Sequence, residues 1–240
     1  MQFHLVSSTN HASPTGALPF LLPPTNTNTS PTPNSPVTPI PSTSLRKYAL
    51  SNGGRNPVPD EAPHHRQQQA YQALLDGPIR AAWLHALYLT PANAPLLASL
   101  YAQPSTASAP VRAALLRQLR LAASAEVALS SPSSSSSPTA LYAEAADAFA
   151  ALATLLQRDG GPAAGRWFFG RETPGEFDAA VFAYTQLLLG REDEGGLRWG
   201  DPALAELARG AGEGELVRHR GRIWDMFWRE AEVGEGNGEE

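Results

Sequence analysis

The stretch that decides the fold class is RWFFGRETPGEFDAAVFAYTQLLL, residues 166–189. It joins an aromatic cluster at 167–169 to an apolar run through a polar loop that contains Gly170 and Pro174. Apolar positions of the run recur every three or four residues, which is the spacing of one helix face. They are Phe177, Val181, Tyr184, Leu187 and Leu188. The stretch therefore predicts a buried helix after a tight loop.

The start of this helix is marked by residue type as well as by spacing. Thr173 and Glu176 have the spacing of a capping box, and Pro174 lies at the first helical position. In such a box the Thr hydroxyl accepts from the Glu amide, and the Glu carboxylate accepts from the Thr amide. Loss of a cap of this kind costs about 1 kcal/mol. We therefore expect structural roles for Thr173 and Glu176.

The composition of the chain argues against several classes of function. The chain has 240 residues, a formal net charge of -5 and no cysteine. A negative net charge with scattered arginines does not favour binding to nucleic acid. The lack of cysteine excludes disulfides, thiolate metal sites and a thiol nucleophile within this sequence. No uninterrupted apolar stretch of membrane-spanning length is found, and the first residues resemble neither a secretory signal nor a matrix presequence. We therefore predict no transmembrane helix.

The first part of the chain differs in composition from the rest. Residues 1–63 hold 12 of the 22 prolines. FHLV and GALPFLL are compatible with short strands, and residues 23–39 are rich in Pro, Thr and Asn without apolar periodicity, which predicts a disordered loop. STSLRKYAL then predicts a short helix that ends near residues 52–54.

The remainder is predicted to be helical. Helical spacing begins near Gln67, and Pro78 predicts a kink or a break near Gly77. A helix over 109–129 is expected to turn Val111, Leu115, Leu119 and Ala122 to the core. A serine-rich loop at 130–138 precedes an amphipathic helix with Thr139 as N-cap. A last helix covers about 213–231, and residues 232–240 form an acidic tail. The class is α+β, mostly α.

Four stretches resemble the metaxin family, which has the glutathione-transferase fold. They are SPTGALPFL (13–21), PIPSTSLRKYAL (39–50), WFFGRETPGEFDAAVFAY (167–184) and LVRHRGRIWDMFW (216–228). The third is the most specific, because its aromatic pair, Gly170 and Asp178 all match. Pro19 matches the cis-proline of the thioredoxin-like domain, and Asp178 matches the buried aspartate at a helix start.

The resemblance implies a fold in two parts. Residues 1–55 would form a partial thioredoxin-like module, and residues 64–231 an all-α bundle of the transferase type. The strand and helix that precede FHLV in the family have no counterpart here. The module is therefore expected to be reduced and truncated at its N-terminus.

The resemblance also implies a function. Metaxin-like proteins are non-enzymatic subunits of the mitochondrial outer-membrane sorting and assembly machinery. The chain is similar to the peripheral kind, on the cytosolic face. Its expected partners are a β-barrel insertase, a second metaxin-like subunit and β-barrel precursors. Two alternatives stay open, a glutathione transferase-like enzyme and a soluble transferase-fold scaffold. The enzyme would need an activating Tyr, Ser or Cys near a first strand, and Pro41 replaces the acid or amide expected before Ser42.

Candidate reactive groups have structural explanations. Glu172, Glu176 and Asp178 are close in sequence, but helix capping explains Glu176, and bonding to backbone amides at a helix start explains Asp178. The six histidines show no metal-ligand spacing. We expect no catalytic residue, cofactor or metal site.

Two aromatic groups remain to be explained. Residues 167–169 are expected to pack in the core, with a ligand-binding face as the alternative. Trp224, Phe227 and Trp228 share one face of the last helix, and Ile223 flanks it. Core packing is favoured for this face, and a partner surface is the alternative, since aromatic side chains are enriched at the centres of interfaces.

Overall fold

The computed structural model describes residues 20–23, 38–52, 62–130, 137–159, 167–191, 193 and 196–228. The chain divides into two compact units, Met1–Glu61 and Ala62–Glu240. Several sequence predictions lie outside the described residues: Pro19, FHLV, the greater part of the loop at 23–39, positions 131–136 of the serine-rich loop and the acidic tail. The described part is mostly helical and contains isolated β-bridges without an extended strand.

In the first unit, residues 20–23 and 38–52 are described, and they form one bridge and one helix. Leu21 and Ile40 form an antiparallel bridge, with N–H to O distances of 2.9 and 2.8 Å in the two directions. Helix α1, Ser42–Asn52, follows at once. In its last turn the Ser51 hydroxyl and the Asn52 amide donate to the carbonyls four residues earlier. The predicted short helix is confirmed.

The second unit is a helical bundle. Its α-helices are α2 (Ala62–Leu74), α3 (Arg80–Leu84), α4 (Ala94–Leu97), α5 (Ala109–Ser130), α6 (Pro138–Arg158), α7 (Glu176–Leu189), α8 (Ala203–Gly210) and α9 (Glu215–Phe227). Turns of π-helix cover Leu75–Ile79, His85–Leu89 and Ala98–Ala102. Turns of 3-10 helix cover Pro91–Asn93, Phe168–Gly170 and Ala211–Gly214.

Where the sequence predicts a kink or a break near Gly77, the structure has a π-helical turn that contains Pro78. Pro78 has no N–H to donate, and its ring clashes with the α-helical ladder. The wider turn Leu75–Ile79 accommodates the proline, and the helix continues directly into α3. Leu75 and Ile79 lie on the buried side of this turn. The sequence therefore locates the irregularity in the helix correctly. The helix becomes wider at this point and does not end there.

Helix α6 is the centre of the bundle. Eight of its residues are buried: Leu141, Ala145, Ala148, Phe149, Leu152, Ala153, Leu155 and Leu156. By length and composition alone it could cross a membrane, and it is the one such helix in the described part of the chain. Seven of its buried side chains pack in the main hydrophobic cluster, as those of a core helix do, and Leu141 packs with Ala81 and Val127 in a smaller one. The N-cap is Ser137, whose Oγ accepts from the Ala140 N–H at 3.2 Å, and the prediction of Thr139 was wrong.

Two other helices differ from their predicted form. In α5 the buried residues are Ala123 and Val127, whereas Val111 and Ala122 are exposed. Both faces of α5 are apolar, so periodicity alone could not tell which face packs inward. Helix α9 begins at Glu215 and ends at Phe227, which is shorter than the predicted 213–231. The preceding turn has left-handed backbone at Gly212 and Glu213, which keeps it out of the α-helix.

Candidate functional site

The motif at 167–184 is organised around the carboxylate of Asp178, a side chain that is 1% exposed. Oδ1 accepts from the backbone N–H of Phe168 at 3.2 Å and lies 3.0 Å from Nε2 of His219. Oδ2 accepts from the N–H of Gly175 at 2.9 Å. The imidazole must be the donor to Oδ1, because a carboxylate oxygen can only accept. Asp178 thus joins the aromatic turn, the start of α7 and helix α9.

The helix start is capped differently from the predicted capping box. Helix α7 begins at Glu176, its N-cap is Gly175, and the N3 residue is Asp178. Thr173 is exposed and lies before the N-cap, so the prediction that Thr173 and Glu176 form the box was wrong. Glycine has no side chain that could accept a hydrogen bond, so only one half of a capping box forms here. In that half, the carboxylate at N3 accepts from the backbone N–H of the N-cap residue. The expectation that Asp178 is buried and bonded to backbone amides is confirmed.

The turn before α7 requires unusual backbone. Phe169 and Gly170 have φ values of 62° and 69°, in the left-handed region. The turn is closed by a bridge in which the Trp167 N–H donates to the Arg171 carbonyl at 2.9 Å. The Phe169 N–H donates to Oδ2 of Asp159, at the end of α6, at 2.7 Å. Two carboxylates from different helices therefore bind successive backbone amides, and this offsets the cost of a non-glycine residue in that region.

The aromatic cluster is core packing, as predicted. Trp167 and Phe168 are 1% and 0% exposed. The Phe168 ring lies 5.0 Å from the rings of both Phe177 and His219, and Trp167 lies 5.7 Å from His219. These are edge-on contacts at the distances aromatic rings prefer. The guanidinium carbon of Arg222 lies 4.0 Å from the centre of the Trp167 ring, which is a cation–π contact.

The pair Asp178–His219 has the composition of an acid–base pair, but its surroundings favour a structural role. His219 is 0% exposed, and its Nδ1 is buried without a hydrogen-bond partner in the described structure. Both carboxylate oxygens of Asp178 are occupied by donors. A general base must reach the proton it removes, and burial on this scale prevents that without an opening of the fold. Glu172, the other carboxylate considered, is exposed.

Sequence reasoning did not find two residues of this junction. Residue type and spacing mark neither Asp159 nor His219 as a partner of the motif. They lie 10 and 41 residues along the chain from their bonded partners, Phe169 and Asp178. His219 lies in the stretch 216–228, which resembles the family's last helix. That resemblance does not indicate which residue His219 bonds.

The end of α9 forms a second candidate site, which we call the aromatic patch and define as Trp224, Phe227 and Trp228. The rings of Trp224 and Trp228 stack at 5.6 Å, and Trp228 stacks on Phe182 of α7 at 5.2 Å. Met226 and Phe227 are 51% and 58% exposed, and Trp228 is 37% exposed. Ile223, in contrast, is buried at 4%. Core packing therefore holds for Ile223, while Phe227 and Trp228 reach the surface, as the partner-surface alternative requires.

A shallow groove of about 310 Å³ lies beside the first π-helical turn. Leu74, Pro78 and Ala81 line one side, and Glu144 and Asp147 of α6 lie opposite. Its volume is at the lower end of the range for small-molecule sites. Within the described ranges no group of three metal-ligating side chains occurs.

Burial controls the titration of several side chains in the bundle. It lowers the pKa of His85, against a smaller opposing effect of Asp201. It raises the pKa of Tyr142 and Tyr184, and of Tyr88 together with a hydrogen bond to Tyr101. These three tyrosines therefore stay protonated and uncharged around neutral pH.

No protein-family model matches this chain, and no curated protein matches it significantly.

Proposed function

We propose that the chain is a non-enzymatic, peripheral docking subunit of the metaxin type, on the cytosolic face of the mitochondrial outer membrane. Its partners in this proposal are a β-barrel insertase, a second metaxin-like subunit and β-barrel precursors. The observation that carries the proposal is the use of the motif at 167–184. Asp178, the buried carboxylate of that motif, is bonded as architecture and accepts from three donors, whereas Glu172 and Glu176 are exposed.

The proposed finer fold is a reduced thioredoxin-like module followed by a transferase-type bundle. Support comes from the order of elements in each unit. The bridge Leu21–Ile40 followed by α1 is compatible with the strand–strand–helix end of a thioredoxin-like domain. In the second unit, a buried aspartate at the start of α7 is the feature that the family resemblance implies.

The aromatic patch is the proposed docking surface. Exposed, mutually stacked aromatic side chains give a rigid contact area that loses little conformational entropy on binding. Precursor strands would bind separately, by addition to a sheet edge, which satisfies their backbone groups. Docking and precursor binding are thus assigned to different parts of the molecule.

The test is fractionation of cells that express the tagged full-length chain. The chain is expected in the mitochondrial fraction and is expected to be released by alkali, as a peripheral subunit would be. Trp224→Ala with Trp228→Ala should reduce co-purification with the β-barrel insertase at least about tenfold, since hot-spot residues contribute about 2 kcal/mol or more each. Leu100→Ala is the matched control, because Leu100 is 38% exposed and Trp228 37%.

Three results would overturn the proposal. A chain that stays in the cytosol would favour the soluble scaffold. Turnover of a glutathione conjugate by the purified protein would favour the enzyme. Undiminished co-purification of the double tryptophan variant would remove the docking role of the aromatic patch.

A further inference from the structure

Helix α5 has two apolar faces, and the bundle covers one of them. Its inner face packs against α3 and the π-helical turns His85–Leu89 and Ala98–Ala102. Ala123 and Val127 are buried on that face, and Leu115 and Leu119 are half-buried. A helix of 22 residues is about 33 Å long, so α5 offers a long outer surface as well.

The opposite side carries what we call the outer seam, defined as Val111, Ala114, Gln118, Leu121, Ala125 and Leu129. All six residues are exposed, and they are separated by three or four positions along the whole helix. At 100° per residue they fall within an arc of roughly 80°, directly opposite the inner face. Val111, Leu121 and Leu129 are 53%, 61% and 78% exposed. Three large side chains and two alanines thus give this side of α5 an apolar face, interrupted by Gln118, and exposed apolar patches mark interaction surfaces.

The spacing indicates which kind of partner fits the seam. Alternation of three and four residues is the spacing that a second helix meets in knobs-into-holes packing. Ala114 and Ala125 leave room between the larger side chains, so the backbone of a partner helix can come close. The geometry therefore favours a helix as occupant.

Charge indicates the chemistry of that helix. Arg117 borders the outer seam on one side and is exposed, and no described residue forms an ion pair with it. Glu126 borders the other side and is paired with Arg80 at 3.5 Å. It is the one carboxylate of α5, so a second copy of α5 would offer no free acid to Arg117. A partner with carboxylates beside its apolar face would complement Arg117.

We propose that the outer seam of α5 binds an amphipathic helix of a partner protein, whose apolar face is bordered by Asp or Glu. This inference goes beyond the proposed function and does not depend on it. It concerns a surface on a different helix from the aromatic patch. Mitochondrial location plays no part in it.

The test uses the full-length chain and two labelled probe peptides of three heptads each. Both probes carry Leu at the a and d positions, and they differ only in having Glu or Lys at e and g. Fluorescence anisotropy should show binding of the Glu probe and at least about tenfold weaker binding of the Lys probe, because like charges replace opposite ones. Arg117→Glu should reverse this preference.

Variants distinguish binding at the outer seam from non-specific binding to other exposed apolar side chains. Leu121→Glu with Leu129→Glu should abolish binding of the Glu probe, and both positions are exposed enough to leave folding intact, which circular dichroism checks. Leu22→Glu is the matched control, since Leu22 is 60% exposed and Leu121 61%. It should bind the probe as the wild type does.

Several outcomes would overturn the proposal. They are equal affinity for the two probes, absence of binding to either, and undiminished binding to the Leu121→Glu, Leu129→Glu variant. Sedimentation that shows a dimer of the chain, dissociated by the same variant, would also overturn it. That result would assign the seam to a second copy instead of an acidic partner.

Discussion

Replacement of Asp178 is the sharpest test of the junction between the aromatic turn, α7 and α9. In Asp178→Ala the N–H of Phe168 and the Nε2–H of His219 lose their acceptor inside the protein. A buried donor left unsatisfied costs about 1–3 kcal/mol, so the two together cost about 4 kcal/mol. The Gly175 N–H is only partly buried, so water can replace its partner at a smaller cost.

The measurement is unfolding of the full-length chain by urea and by heat, followed by circular dichroism. A loss of about 4 kcal/mol corresponds to a fall in Tm of roughly 8–16 °C for a chain of this size. Asp178→Asn keeps an oxygen for Phe168 and His219 but turns an amide group toward Gly175. It should therefore lose only about 1–2 kcal/mol.

Thr173→Ala is the matched control. The structure places Thr173 outside the cap and exposed, so its replacement should change the free energy of unfolding by less than about 0.5 kcal/mol. If Asp178→Ala leaves the unfolding curve unchanged, the reasoning about the junction is refuted. If Thr173→Ala costs as much as Asp178→Ala, the capping box predicted from the sequence is restored.

Three further changes test other parts of the bundle. Burial lowers the pKa of His85, so the neutral imidazole stabilises the fold above about pH 6.5, and this stability is lost as the pH falls. In His85→Phe the free energy of unfolding should therefore decrease less between about pH 7.5 and pH 4.5 than in the wild type. Gly212 has φ 56°, and an added Cβ would lie 2.5 Å from that of Ala153. Gly212→Ala should therefore lose about 2–4 kcal/mol, whereas Gly210→Ala, in open space, should be neutral or stabilising in the same assay. The buried Asn93 amide binds the Ala86 carbonyl and the Asp201 N–H, so Asn93→Ala should lower the free energy of unfolding by about 2–4 kcal/mol; an unchanged value would count against that bridge.

At the start of α7, residue type and spacing predict the role of Asp178 but not the capping residue. Asp178 could be predicted as a buried helix-start residue, because a carboxylate beside a helix N-terminus has an evident use. The choice of capping residue could not. Thr173 and Glu176 match the capping-box pattern, but the chain stays extended through Gly175 and enters the helix later. The aromatic turn, held by Asp159 and Asp178, fixes that entry point.

Helix α5 shows the opposite case, in which the pattern itself was ambiguous. Periodicity predicts that a helix has an apolar face, but α5 has two. The choice between them depends on the position of α3 and the adjoining π-helical turns, which periodicity does not encode. The predicted inner positions Val111 and Ala122 proved to be exposed.

The sequence by itself determined the helical character of the second unit, the short helix of the first and the apolar face of α6, because these follow from local propensity and spacing. Tertiary structure alone decided that His219 bonds Asp178, that Asp159 holds the Phe169 amide and that α5 leaves its outer seam uncovered. The physical reason is that each of these features depends on groups that packing brings together from separate parts of the chain. Contacts of this kind leave no periodic pattern in the sequence.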